Sequence, residues 1–92
     1  MNQNRGFDMD TISKPQHVIQ ELVNTGVVQA VKALPVPMQA DGYHLFFYDK
    51  KGGKVAVLEA QRGDHRVFKT LDTVAVFVKK MGLDTFSVTV RT

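Results

Sequence analysis

Arg62-Gly-Asp-His-Arg-Val-Phe-Lys-Thr-Leu-Asp-Thr-Val-Ala-Val-Phe-Val-Lys-Lys-Met-Gly-Leu-Asp-Thr-Phe-Ser-Val-Thr-Val-Arg91 decides the fold. It reads as a polar turn, a capped helix, a glycine stop and an alternating strand. Thr70 is placed to cap the helix, and Asp72 sits in the first turn, where the helix dipole favours a negative charge. Leu71, Val74, Ala75, Val78 and Met81 recur at helical spacing and make one apolar stripe, with Phe77 at its flank. Val76 falls opposite that stripe. Lys79 and Lys80 complement the C-terminal end of the dipole. Gly82 supplies the left-handed residue after the helix, and Leu83 can fold back on Val78 as in a Schellman motif. Phe86, Val88 and Val90 alternate with Ser87, Thr89 and Arg91, which predicts a strand with one buried and one wet face.

Upstream, Ser13 offers an N-cap and Pro15 fits a first helical turn. Val18, Ile19, Leu22 and Val23 share one helical face, and Asn24-Thr-Gly26 ends that helix. The β-branched run Val27–Leu34 predicts a strand that stops at Pro35 and Pro37. Tyr43-His-Leu-Phe-Phe-Tyr48 is the strongest strand signal in the chain. Asp49-Lys-Lys-Gly-Gly53 is a hairpin turn, and Lys54–Ala60 returns as its partner. The order is therefore α-β-β-β-α-β. This is an α+β, two-layer domain with a four-stranded, largely antiparallel sheet and two helices on one face. It occupies residues 13–92 as a single domain, and residues 1–12 read as a flexible N-terminal tail.

Composition narrows the functional classes. The chain has 92 residues, no cysteine and a net charge of +3. That length makes one domain, and the missing cysteines remove disulfides and thiolate metal sites. No apolar run approaches the roughly 20 residues of a membrane span, and the N-terminus lacks the apolar core of a signal peptide. A cytoplasmic protein with no membrane association is expected. His17, His44 and His65 have no partner at metal-ligand spacing, so neither metal nor cofactor is expected. Carboxylates are scattered singly, and no nucleophile elbow or phosphate loop occurs. An enzyme is not expected.

Two surfaces remain as candidates. Lys50, Lys51, Lys54, Arg62, Arg66 and Lys69 put half of the twelve basic residues into twenty positions. An anionic partner, DNA first, would read that clustering, although turns collect charge in any protein. The second candidate is the sheet face away from the helices. If Tyr43, Leu45 and Phe47 point inward, His44, Phe46 and Tyr48 point out, with Val55 and Val57 joining them in one register. An apolar patch of that kind needs a cover. A homodimer or protein partner, the tail, or stacked nucleic-acid bases would each supply it.

Two resemblances bear on this choice. Tyr43–Lys54, Arg66-Val-Phe-Lys-Thr70 and the helix with Ala75 and Phe77 resemble the three-stranded-sheet-plus-helix unit of tyrosine recombinases over residues 43–78. That resemblance implies a sheet in the DNA major groove and the six basic residues as contacts. The tryptophan and the arginine-rich first strand common in that family are missing here. Leu58–Val90, with Arg66-x-Phe-Lys-Thr-Leu-Asp-x-Val-Ala75 and Gly82-Leu-x-x-Phe-x-Val88, is similar to ParC-like small accessory proteins of plasmid partition and maintenance operons. It implies a plasmid or mobile-element setting and a role in plasmid maintenance or regulation. No catalytic residue carries over from either.

Overall fold

The computed structural model describes residues 12–61 and 63–90. Its elements are β1 (Ser13–Lys14), α1 (Gln16–Asn24), β2 (Ala30–Pro35), β3 (Tyr43–Tyr48), β4 (Lys54–Leu58), α2 (Leu71–Lys80) and β5 (Ser87–Val88). The α+β class is as expected, but the sheet is five-stranded and mixed rather than four-stranded. Its order is β1-β4-β3-β2-β5. The central three strands are antiparallel, while β1 runs parallel to β4 and β5 parallel to β2. Both crossovers, β1-α1-β2 and β4-α2-β5, step across the sheet in the same sense. Crossovers of one hand then place both helices on one face. Ile19 of α1 and Val74, Phe77 and Val78 of α2 accordingly share one core with Leu45, Phe47 and Leu58.

The departure at the N-terminal end has a local cause. Pro15 disfavours helical backbone at the residue before it. Ser13 and Lys14 are therefore extended and pair with Val57 and Leu58. Pro15, not Ser13, is the N-cap, and no side chain caps α1. The tail expected over residues 1–12 lies outside the described residues apart from Ile12, whose carbonyl accepts from the Val57 N–H at 3.0 Å.

Proline also explains the short C-terminal strand. The Val36 N–H donates to the Gly42 carbonyl, so even-numbered N–H groups of β2 point at β3. Odd-numbered groups point at β5, and Thr89 N–H donates to the Ala33 carbonyl there. The next donor on that edge would belong to Pro35, which has none. The expected strand over 86–91 is therefore two residues long. Phe86 packs on the core, but Val88 and Val90 stay exposed, so the alternation does not produce a buried face.

The second helix follows the sequence closely. Thr70 Oγ accepts from the Thr73 N–H at 3.2 Å. Leu83 N–H reaches the Val78 carbonyl and Gly82 N–H the Lys79 carbonyl, which is the full Schellman pair. The apolar stripe is rotated slightly. Phe77 is buried and Ala75 is exposed, because the ring fits against Phe68 at 5.2 Å between centroids. Gln20 Nε2 donates to the Met81 carbonyl and ties the first helix to the end of the second.

Two glycines give a graded test of the loops. Gly82 has φ +96°, and a Cβ there would meet nothing. Gly42 has φ +100°, and a Cβ there would lie 2.9 Å from a methyl carbon of Val67. Gly82→Ala should cost about 1 kcal/mol from backbone strain alone. Gly42→Ala should cost about 2–4 kcal/mol, since overpacking is added. Chemical denaturation midpoints of the two variants measure the difference.

Candidate ligand-binding face of the sheet

Strand alternation sorts the aromatic residues of β3. Leu45 and Phe47 are wholly buried toward the helices, and Tyr43 packs on the same core. His44, Phe46 and Tyr48 are half-buried on the opposite face. The register adds Leu34 opposite His44, Lys32 opposite Phe46 and Ala30 opposite Tyr48. Two of the proposed interface residues are not open on this face. Val57 lies opposite Phe46 but is completely buried, so it is not available to a partner. The β3–β4 register shifts between Phe47 and Tyr48, where Tyr48 pairs with Lys54 instead of Val55. This bulge takes Val55 out of the outer row, and it packs against the core.

The basic residues do not form one cluster. Lys50 and Lys51 sit exposed on the β3–β4 hairpin. Asp49 holds that turn, its Oδ1 accepting from the Lys51 N–H at 2.9 Å and the Gly53 N–H at 2.8 Å. Lys54 lies on the outer face, its Nζ 5.0 Å from the centre of the Phe46 ring. Lys32 Nζ stands 5.4 Å from the Tyr48 ring on the same face. Residues 65–68 run along the other end of β3, where Phe68 and Tyr43 exchange backbone hydrogen bonds. There Arg66 turns to the helix side and stacks its guanidinium on Phe68 and Phe77, at 4.7 and 5.1 Å. Lys69 is exposed just before α2. The two groups are separated by the length of β3, about 17 Å at ~3.4 Å per residue. Arg62 lies outside the described residues.

The same alternation that turns Arg66 inward turns His65 outward. Its ring meets His44 edge-on at 5.1 Å and Phe46 at 6.4 Å. Leu34, Pro35, Pro37 and Phe46 wall a pocket of about 400 Å³ against these two imidazoles, with Lys54 also on its lining. A depression of about 620 Å³ continues from it past Pro37, His44 and His65. Charge clustering along the chain finds neither Lys32 nor His65. Lys32 is isolated in the sequence, and His65 joins His44 only through the fold. The period-two pattern of Val31-Lys32-Ala33 was the available signal for the lysine.

Among the described residues, no three His, Cys, Asp or Glu side chains are placed to hold a metal ion. No helix among them is long and apolar enough to cross a membrane.

Burial first, and then the neighbouring His65, holds the His44 imidazole below its ordinary value of 6.5. The unfolded chain then takes up this proton more readily than the folded one. Stability should be unaffected by His44 above about pH 6.5 and should fall as the pH drops below that toward the folded value. His44→Gln should flatten this part of a thermal-melt profile measured between pH 7.5 and 5. In the same assay at neutral pH, Asp49→Ala should cost about 1–3 kcal/mol and Asp49→Asn less, because an acceptor oxygen is kept.

Comparison with known protein families, with curated proteins and with solved structures finds no match to this chain.

Proposed function

We propose that this chain is a small, non-enzymatic DNA-binding protein that uses the hairpin half of its outer sheet face. The observation that carries the proposal is Lys32 over the Tyr48 ring and Lys54 over the Phe46 ring, with Lys50 and Lys51 exposed on the adjoining hairpin. Lysines beside half-exposed rings meet the two needs of a nucleic-acid surface, charge for phosphates and flat apolar area for bases. Arg66 contributes less to this surface, since its guanidinium is engaged by two rings on the helix side. The setting we propose, maintenance or regulation of a plasmid or mobile element in the cytoplasm, rests on the resemblance of Leu58–Val90 to plasmid accessory proteins.

The alternative is a protein-interaction module, a homodimer included, that covers the same aromatic face. The half-buried state of Phe46 and Tyr48 favours it. Light scattering separates the two readings. A monomer at about 100 μM that retains DNA supports the first, and a dimer that excludes DNA supports the second.

Retention of labelled DNA should be clear at about 50 mM salt and should collapse by about 200 mM, as phosphate contacts require. Lys50→Glu with Lys51→Glu should weaken it at least tenfold. Lys79→Glu with Lys80→Glu, at the end of α2, should change it little. Absence of retention at the lower salt overturns the proposal.

A further inference from the structure

We propose that the pocket between His44, His65 and Phe46 receives an unpaired base, so that the preferred ligand is single-stranded DNA rather than duplex. The inference rests on the DNA-binding reading and adds what that reading leaves open, the form of the nucleic acid.

Three features carry it. The first is shape. The pocket is a recess of about 400 Å³ closed on one side by the Pro35 and Pro37 loop, not an open plane. A base pair inside a duplex cannot enter such a recess, whereas a splayed base can. The second is the lining. Leu34, Pro35, Pro37 and Phe46 offer apolar and aromatic walls, and the two imidazoles supply polar atoms. Burial, and then the neighbouring His65, favours the neutral form of His44, and a neutral imidazole presents one donor and one acceptor nitrogen. That pair suits the edge of a base, which carries both kinds of group. The third is charge along one path. From the pocket, the outer face leads past Phe46 and Tyr48 to the exposed Lys50 and Lys51. A strand whose base occupies the pocket can lay its next phosphates along the lysines. A flat apolar interface for a second copy would not call for this gradient from recess to basic tip.

The test compares a thymidine oligonucleotide with a duplex of the same length at about 50 mM salt, by anisotropy and by NMR of the imidazole protons. The single strand should bind roughly tenfold tighter, the size of one stacked base. The carbon-bound imidazole protons of His44 and His65 should shift with the strand and not with the duplex. His44→Ala with His65→Ala should erase the preference while leaving duplex binding within about twofold. Phe46→Leu keeps the apolar volume and removes the stacking ring, and it should reduce the preference as well. Circular dichroism and melting confirm that each variant is folded. Equal binding of strand and duplex with unmoved imidazole signals overturns the pocket and leaves DNA binding standing. Failure to retain either DNA overturns both readings.

Discussion

The alternation of Tyr43–Tyr48 is the constraint on which this molecule depends. This strand is hydrogen-bonded on both sides, to β2 and to β4, and stands at the centre of the sheet. Its odd-numbered side chains enter the core and its even-numbered ones face away. A slip of one residue would drive His44, Phe46 and Tyr48 under the helices and expose Leu45 and Phe47. Leu45 and Phe47 have no accessible surface, so that slip would forfeit several kcal/mol of burial, at about 1.5–3 kcal/mol for each large side chain. The register of the core and the composition of the outer face are therefore one decision.

What the sequence disclosed follows from how local the cause was. The cap at Thr70, the Gly82 stop and the Asp49–Gly53 turn each involve residues within a few positions, and all stand where their residue types place them. The outward row of His44, Phe46 and Tyr48 was legible for the same reason, since a period of two needs no partner. The N-terminal edge strand was not. Ser13 and Lys14 carry no strand signal of their own, and they extend because Pro15 blocks a helix and β4 offers an open edge. The Val55 bulge depends on a two-strand mismatch, which a single strand's pattern cannot reveal.

The basic residues show how proximity in sequence misleads. Lys50 and Lys69 are nineteen positions apart, but β4 carries the chain from one end of the sheet to the other between them. Alternation then separates neighbours again. His65 and Arg66 are adjacent in the chain and stand on opposite faces, one against His44 and one against Phe68. Lys32 reaches the face from a different strand altogether. A surface assembled in this way is a property of the register and not of a motif, so no short sequence pattern would have contained it.

The lysines over Phe46 and Tyr48 set the energetics that the proposed ligand would meet on this face. Each cation–π contact at a partly exposed ring contributes about 0.5–1 kcal/mol and shields the ring from water. That is enough to lower the penalty of leaving two aromatics outside the core. It is less than the roughly 1–3 kcal/mol that a stacked base contributes on the same ring. On the proposed reading, a strand arriving at the face would displace the lysine from the ring and leave its ammonium to meet a phosphate. In that proposed complex the ammonium would exchange an aromatic partner for an anionic one while the base took its place on the ring, and the magnitudes above would favour the exchange. Had the rings been buried as deeply as Phe47, or the lysines locked into the stacking seen at Arg66, this exchange would cost more than it returns.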